Sequence, residues 1–249
     1  MSIFIYIILG FAAEMIDGTM GMAYGVSSNT FLRMAGVPSA ISSACVHCAE
    51  MVTTLVSGLS HLKMRNVHKG LLLKLLIPGA IGGALGAYLL VEFNSSVIDI
   101  IIDCYLIIMG IVIISKVFKK IAKPREYGNY AIPLGLVGGF SDAMGGGGWG
   151  PVVTSTLLAS GHDTRQTIGT VNTAEFFVTL AETTTFVAML GDFRNYGTII
   201  VGLMVGGVIA APLGAYLCKK IPVKPMLAIV GTLVVVLNTI KLLQHVGVI

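Results

Sequence analysis

Apolar residues occur in ten segments along the chain, separated by short polar stretches that hold most of the charges. A helix needs about 20 apolar residues to cross the hydrocarbon core of a membrane. Six segments reach that length and predict transmembrane helices, whereas the first, second, sixth and seventh are shorter. The ten segments lie at about 3–18, 19–34, 38–61, 70–91, 97–115, 129–143, 148–160, 164–190, 196–218 and 225–243.

The four short segments form two adjacent pairs, each joined through glycine. In the second pair the junction is Ser141–Pro151, where four successive glycines precede Trp-Gly-Pro. Each glycine costs a helix about 1 kcal/mol relative to alanine, so this stretch predicts a helix break. Inside a membrane, broken backbone is tolerated only where protein buries it or where it lines a cavity. The short segments are therefore tilted spans or re-entrant half-helices, and the pattern does not separate these two interpretations.

The second half of the chain repeats the first at an offset of 125 residues. Residues 9–61 align with 134–186 without a gap. Charged residues are scarce in membrane segments, so matched acids in apolar surroundings indicate a repeat more strongly than matched leucines do. The matched pairs include Asp17 with Asp142, Gly21 with Gly146, Gly25 with Gly150, and Glu50 with Glu175.

Charges between the segments predict that the two repeats have opposite orientations. The loop at 63–69 is basic, whereas the matched loop of the second half has Arg194 as its only cation. The next loop reverses this pattern, with no cation at 92–95 but Lys219 and Lys220 in the second half. Cytoplasmic loops carry an excess of Lys and Arg, so matched loops should face opposite sides of the membrane, with the N-terminus extracytoplasmic.

Composition supports a membrane protein built as one structural domain. Hydrophobic residues make up 55% of the chain and charged residues 11%, and the mean hydropathy is +0.89. Soluble domains carry about 25% charged residues. We predict an all-α integral membrane protein of two inverted repeats, each with three long transmembrane helices and a pair of short or re-entrant helices broken at glycine. Its parts are a first repeat (1–116), a basic cytoplasmic connector (117–127) and a second repeat (128–249).

Several other classes of protein are disfavoured. The first segment lacks a preceding cation and a following small-residue cleavage site, so we expect it to remain in the mature protein. The four cysteines lie within or beside apolar segments and do not resemble a disulfide framework. We find no nucleophile–base pair and no cofactor motif, and the net charge of +4 lies in loops. We therefore predict neither an enzyme, nor a cofactor, nor a nucleic-acid partner.

The third segment of each half carries a polar face. Its residues recur at spacings of three and four, which place them on one side of a helix. An ionised carboxylate at the bilayer centre costs at least about 2.5 kcal/mol, so such acids usually mark a pathway or a proton relay. Because burial disfavours the ionised form, we assign proton coupling to Glu50, Glu175, Asp17 and Asp142. For the threonines and the serine of this face, interhelical hydrogen bonding is the favoured interpretation.

Both helix breaks predict a binding site for an anion. The N–H groups that begin the half-helix after each break lack partners, and the positive end of the helix dipole lies there. Tight packing through small residues is the alternative interpretation. The predicted substrate-binding residues are Gly21, Ser27, Ser28, His47, Gly146, Gly147, Gly148, Trp149, Thr154, Asn172 and Thr173.

Cys45-Val46-His47-Cys48 contains residue types that bind soft metals. The matched positions hold Thr170, Asn172 and Thr173 and supply no second set of thiols. Small buried cysteines are common as ordinary packing residues. We therefore predict no metal site at this motif.

Two motifs together resemble the TauE/SafE sulfite exporter family, also called the toluene-sulfonate uptake permease family. They are the glycine cluster Gly145–Pro151 and the small-and-threonine segment Gly169–Ala174 that follows it. A weaker copy of both occurs in the first half, and the family's usual Thr-Ser pair is Asn172-Thr173 here and His47-Cys48 in the other copy. The resemblance implies a secondary transporter of sulfur-containing anions, such as sulfite or organosulfonates, that works without ATP hydrolysis.

The leading hypothesis is a multi-pass transporter of the cell inner membrane that moves a small sulfur-containing anion together with a proton. A carrier of cations or divalent metals, using His47 and the carboxylates assigned above to proton coupling, is the first alternative. A membrane scaffold that transports nothing is the second. The expected partners are a small anionic substrate, the lipid bilayer and protons, and a homodimer stays an open alternative.

Overall fold

The computed structural model describes residues 2–93, 95–115, 118, 128–160, 162–191, 194–217 and 223–248. Within these ranges the regular structure is helical and contains no strand, which confirms the predicted all-α class. Besides α-helices it has a π-helical turn at Gly150–Thr154 and a 3-10 turn at Arg194–Tyr196. The helices are α1 (Ile3–Met20), α2 (Tyr24–Met34), α3 (Ser39–Lys63), α4 (Lys69–Glu92), α5 (Ser96–Ser115), α6 (Ala131–Gly145), α7 (Ser155–Ala159), α8 (Thr164–Leu190), α9 (Gly197–Leu217) and α10 (Val223–His245).

Part of the charge pattern lies outside the described residues. This holds for the predicted connector at 117–127 except residue 118, and for residue 94, Cys218, Lys219 and Lys220. The opposite orientation of the two repeats and the boundaries of the domain's parts accordingly stay predictions.

Six helices in the described part of the chain are long and apolar enough to cross a membrane, namely α1, α3, α4, α5, α9 and α10. Helix α1 was expected to be short, but it continues to Met20 and reaches 18 residues. Helix α8 has 27 residues, about 40 Å. It falls outside this set of six because charged and hydroxyl side chains interrupt its apolar sequence. Most of them are buried against other helices, so α8 has the length to span without the usual apolar composition.

The outer surface is apolar in the way that a lipid-facing surface requires. On α4, large hydrophobic side chains recur every three or four residues along one side and are about half exposed. Lipid-exposed helices bond their own backbone groups internally and need only such side chains outside. This side of α4 consists of Leu73, Ile77, Ile81, Leu85 and Tyr88.

The remaining helical segments are too short to cross the membrane alone. Helix α2 has 11 residues, about 16 Å, whereas the hydrocarbon core is about 30 Å thick. The π-helical turn and α7 together cover only 150–159. Pro151 lies in the first turn of this segment, where its missing N–H would have no intrahelical acceptor. Re-entrant half-helices and tilted spans accordingly both stay predictions.

Each break begins at a glycine in the left-handed conformation. Gly21 ends α1 with φ 66° and donates its N–H to the Asp17 carbonyl. Gly146 ends α6 with φ 64° and donates to the Asp142 carbonyl. Left-handed backbone costs glycine almost nothing, and it satisfies a carbonyl that the helix end would leave bare. The predicted breaks are thus confirmed, and both lie at matched positions.

Helices pack closely where glycines face each other's backbones. Helix α1 lies against α9 and α4 against α6, while α3 pairs with α8 and α5 with α10. A Cβ at Gly82 of α4 would come within 2.1 Å of the Leu136 carbonyl oxygen of α6. A Cβ at Gly206 of α9 would come within 2.0 Å of the Ile7 carbonyl oxygen of α1. Small residues permit such close approach between membrane helices, and the resulting core holds α3 and α8 beside the two breaks.

Candidate functional site

The two helix breaks touch each other through their backbones. Gly25, in the first turn of α2, lies against Gly147, whose Cα would be 2.6 Å from a Cβ placed on Gly25. Gly150 lies in the same way against Met22, at 2.3 Å. Positions 25 and 150 are matched by the repeat, and so are 22 and 147. A side chain at either glycine would force the breaks apart, so glycine is required here for the contact itself.

A small pocket lies where the breaks meet. Its wall contains Asp17, Glu50, Asp142 and Glu175, each at most 2% exposed. As far as the structure describes the chain, no Lys or Arg contributes to this wall. Gly147 also lines the pocket, and the other lining residues form five matched pairs, namely 17 with 142, 23 with 148, 25 with 150, 26 with 151, and 50 with 175.

Arginines near the helix ends have partners elsewhere. Arg33 is buried at the end of α2, where its Nη1 lies 2.5 Å from Asp103 Oδ1 on α5. Arg165, at the start of α8, donates to the Asn66 side chain and to the Met64 carbonyl. These cations therefore hold helices together and leave the pocket acidic.

The two aspartates cap the half-helices that follow the breaks. Asp142 Oδ1 accepts hydrogen bonds from the backbone N–H groups of Gly148, at 2.5 Å, and Trp149, at 2.9 Å. The Asp17 carboxylate faces the backbone N–H of Tyr24, the residue matched to Trp149. The N–H groups predicted to bind an anion at Gly148 and Trp149 are thus already occupied by a carboxylate of the protein. An anion would have to displace that carboxylate in order to use them.

His47 extends from α3 towards three acids from three helices. Its Nε2 lies 3.1 Å from Glu182 Oε2, 3.6 Å from Asp142 Oδ2 and 4.0 Å from Glu50 Oε2. Its Nδ1 lies 2.7 Å from the Ser43 backbone carbonyl. The Phe186 ring stacks on the imidazole with a centroid distance of 5.8 Å. The chemistry-bearing residues of α3, α6 and α8 therefore converge at His47.

The matched position in the other half has neutral groups. Asn172 replaces His47, and its Nδ2 lies 3.2 Å from Ser57 Oγ, the residue matched to Glu182. The same Nδ2 is 3.5 Å from His61 Nε2, and residue 61 is matched to Phe186. The contacts are thus repeated in both halves, although the residue types that make them differ.

The structure separates Trp149 from the pocket. Its ring is fully buried among apolar residues of α4, α6 and α8, where it presses on Gly79. Its Nε1 donates to the Val171 carbonyl at 3.2 Å. Trp149 therefore anchors the break in the helix packing, and its side chain does not line the pocket.

Most of the other predicted substrate residues have protein partners and do not line the pocket. Thr154 Oγ1 donates to the Gly21 carbonyl at 2.6 Å, and Thr173 Oγ1 donates to the Gly169 carbonyl at 2.7 Å. Ser27 Oγ donates to the backbone of its own helix. Ser28 Oγ is buried and makes no hydrogen bond within the described residues. Gly146 packs against Asn29, whose side chain donates to the Gly145 carbonyl.

Two buried glutamates were missing from the predicted site. Glu182, fully buried on α8, contacts His47 and presses against Gly83 of α4. Glu14, fully buried on α1, lies beside the hydroxyls of Thr53 and Ser57. The sequence did carry a signal for both, because Glu14 precedes Asp17 by three positions and Glu182 follows Glu175 by seven, which are helix-face spacings.

Comparison with known proteins identifies the family. The family model "Sulfite exporter TauE/SafE" matches residues 6–240. The chain is 39% identical over 248 residues to "Probable membrane transporter protein YtnM" of Bacillus subtilis (strain 168), covering 97% of this chain and 83% of that protein. The family model spans both breaks and the pocket between them, and the family groups membrane transporters rather than enzymes. The chain therefore belongs to the TauE/SafE sulfite exporter family and is a multi-pass membrane transporter.

Proposed function

We propose that the protein is a secondary active transporter of small sulfur-containing anions, coupled to protons through Asp17, Glu50, Asp142 and Glu175. The observation that carries this proposal is the small pocket between the two breaks, lined by these four buried acids. Broken helices that meet near the membrane midplane form the substrate and ion sites of many secondary transporters. The pocket likewise lies between two broken helices, and its acids offer sites for protons.

Proton coupling follows from the charge of the wall. A buried carboxylate that is ionised without a cation nearby is strongly unfavourable, and a second negative charge beside it is worse. An anion therefore enters this pocket once the negative charge of the acids is neutralised, which protons can do. Release of the protons on the other side would expel the anion, so both move in the same direction.

The inverted arrangement of the repeats is part of this proposal. Exchanging each helix for its matched helix turns the α1–α9 pair into α6–α4, which is the other close pair. The same exchange leaves the α3–α8 and α5–α10 pairs unchanged. Together with the loop charges, this supports two inverted repeats around one central pocket, in the inner membrane of the cell. Monomer and homodimer are both compatible with it.

The test uses purified protein in liposomes, challenged with sulfite, sulfoacetate or taurine, with and without a pH gradient. We expect uptake of one of these that rises when protons flow with the anion. The double variant Glu50→Gln with Glu175→Gln should still bind the anion and lose the response to the pH gradient. Glu14→Gln, a buried acid outside the pocket wall, is the matched control and should keep that response. A transport rate independent of pH in the native protein contradicts proton coupling.

A carrier of cations is the second candidate function, favoured by the acid-rich wall and by His47 beside it. The same double variant separates the two candidates. Substitution of Glu50 and Glu175 by Gln removes charges that a cation needs, so it should abolish cation binding while anion binding remains.

A further inference from the structure

In its neutral form, His47 faces the three acids with an unshared electron pair. Ser43 donates its own hydroxyl hydrogen to the Ala143 carbonyl, at 2.7 Å. The Ser43 carbonyl can only accept, so His47 Nδ1, 2.7 Å away, is the nitrogen that carries hydrogen. A neutral imidazole has one N–H, which leaves Nε2 bare. The side chain is fully buried, so water does not solvate this nitrogen.

The bare nitrogen and its neighbours repel one another unless something positive lies between them. Nε2 makes no hydrogen bond of suitable geometry in the described part of the chain, although Glu182 Oε2 is 3.1 Å away. Oε2 of Glu50, Oδ2 of Asp142 and both carboxylate oxygens of Glu182 also lack hydrogen-bond partners there. These buried atoms come from three helices, and those of His47, Glu50 and Asp142 lie within 4.8 Å of one another, while Glu182 contacts the group through Nε2.

We propose that His47 Nε2, Glu50 and Asp142 bind a divalent first-row transition-metal ion, with Glu182 beside Nε2 as an additional buried carboxylate. Ligand atoms at tetrahedral angles around Zn²⁺, with bonds of about 2.0–2.2 Å, lie about 3.4 Å apart. The observed separations from Nε2 are 3.1, 3.6 and 4.0 Å, and ligand atoms of His47, Glu50 and Asp142 all lie within 4.8 Å of one another. An imidazole combined with carboxylates suits Zn²⁺, Mn²⁺, Fe²⁺ or Co²⁺ better than Mg²⁺ or Ca²⁺, which prefer oxygen alone.

The surroundings hold the ligands as metal sites usually do. A metal-binding histidine typically donates its second ring N–H to a backbone carbonyl or a carboxylate, as His47 does to Ser43. A ligating carboxylate is typically held by hydrogen bonds, as Asp142 is through Oδ1 by two backbone N–H groups. Phe186 stacks on the imidazole and fixes its plane. The orientation of each of these ligands is thereby set before an ion arrives.

One consequence rests on the proposed function. A bound divalent ion would place positive charge beside the pocket, where the described residues supply no Lys or Arg. An anion such as sulfite would then bind more tightly with the ion present, and the ion more tightly with sulfite. If the ion binds but sulfite leaves its affinity unchanged, this consequence fails while the metal site stands.

The site is tested on purified protein treated with a chelator and then titrated with Co²⁺, followed by visible absorption and calorimetry. We expect saturable binding of one ion per chain, competition by Zn²⁺, and no competition by equal concentrations of Mg²⁺ or Ca²⁺. Absence of saturable binding overturns the proposal and means that protons alone neutralise the cluster.

The variants use residue types that the matched positions already contain. His47→Asn and Glu182→Ser copy Asn172 and Ser57. His47→Asn should weaken Co²⁺ binding by more than about 100-fold, beyond the 10- to 100-fold effect of losing a group beside a metal ligand, and Glu182→Ser should fall within that 10- to 100-fold range. Two buried residues on the other side of the pocket, beside Asn172 and Ser57, serve as controls, and His61→Gln and Glu14→Gln should leave Co²⁺ affinity within about twofold. Equal affinity in His47→Asn and the native protein overturns the proposal.

A measurement on the native chain makes the test independent of how the variants fold. Mn²⁺ bound to the unmodified protein should show, in pulsed electron paramagnetic resonance, coupling to one directly bound imidazole nitrogen. A bound Mn²⁺ without nitrogen coupling places the ion away from His47 and contradicts the proposed ligand set.

Discussion

The two sides of the central pocket occupy matched positions but differ in chemistry. On one side His47 approaches Glu182 at 3.1 Å, and on the other Asn172 approaches Ser57 at 3.2 Å. The acids on the pocket wall are the same on both sides, since Glu50 matches Glu175 and Asp142 matches Asp17. The first side therefore places an imidazole against a carboxylate, whereas the second places an amide against a hydroxyl, with the His61 imidazole and the Glu14 carboxylate beside them.

The difference indicates that the two sides of the pocket have different functional roles. Asn172 Nδ2 donates to Ser57 Oγ, while Asn172 Oδ1 makes no hydrogen bond within the described residues. His47 and its three acids have unsatisfied atoms and gain from a proton or a metal ion. The second side keeps its additional acid on α1, because Glu14 lies next to Ser57. We infer that the first side binds the ion and that the second side shapes the pocket.

The largest effect is expected where the two breaks touch. Of the matched residues Met22 and Gly147, only the first has room for a side chain. A Cβ on Gly147 would lie 2.0 Å from the Val26 backbone nitrogen, and φ there is +151°. Overpacking costs about 1–3 kcal/mol and more when backbone cannot move. Gly147→Ala should therefore lose more than about 3 kcal/mol of unfolding free energy, measured by thermal unfolding in detergent together with the yield of monodisperse protein.

The matched residue Met22 is the control for that substitution. Met22 already carries a side chain, so Met22→Ala removes buried atoms without creating a clash. It should cost about 2–5 kcal/mol if the space stays empty, yet leave the crossing and the transport rate intact. Full transport by Gly147→Ala would contradict a close crossing of the breaks.

The next effect concerns the helix caps. Asp142→Ala leaves the N–H groups of Gly148 and Trp149 buried without their acceptor. Each orphaned donor costs about 1–3 kcal/mol, so the loss should be about 2–6 kcal/mol. Asp17→Ala leaves one backbone N–H, that of Tyr24, without its acceptor. The loss of unfolding free energy should be about half that of Asp142→Ala. Chemical denaturation of both variants measures the difference, and equal losses would refute the asymmetry. Asp142→Asn, which keeps the acceptor oxygen, should recover most of the stability but not the transport.

The third prediction concerns a variant in which both sides of the pocket carry the same pair of residue types. The double variant His47→Asn with Glu182→Ser gives the first side the pair found on the second. Stability should change by less than about 1 kcal/mol, because an amide–hydroxyl hydrogen bond replaces unsatisfied groups. Transport in liposomes should fall at least about tenfold, which corresponds to about 1.4 kcal/mol. A variant that folds and transports at the native rate would show that the difference between the sides has no functional role.

The sequence predicted the parts of this site that depend on the repeat, and it missed those that depend on how helices cross. Glu50 with Glu175 and Asp17 with Asp142 were expected together because matched positions approach a common centre, and all four line the pocket. The meeting of His47 with Glu182 depends on the packing of α3 against α8, which periodicity along one helix does not determine. Both residues were visible on the polar faces, but their partners were not. The role of Asp142 as a helix cap was also missed. The path of the backbone through the glycines between Asp142 and Trp149 could not be predicted, so neither could the N–H groups that its carboxylate meets.

The smallest effect compares the two aromatic residues of the breaks. Trp149 Nε1 donates to the Val171 carbonyl at 3.2 Å, and Tyr24 donates its hydroxyl hydrogen to the Leu203 carbonyl at 3.3 Å. Trp149→Phe and Tyr24→Phe each lose one buried hydrogen bond of ordinary length, about 0.5–1.5 kcal/mol, and Trp149→Phe also loses some packing on Gly79. Thermal unfolding should therefore rank Trp149→Phe below Tyr24→Phe by a small margin. Neither ring lines the pocket, so the concentration dependence of transport should match the native protein in both variants. A weakened apparent substrate affinity in Trp149→Phe alone would return Trp149 to the binding site and would make the aromatic residue, rather than His47, the main difference between the two sides.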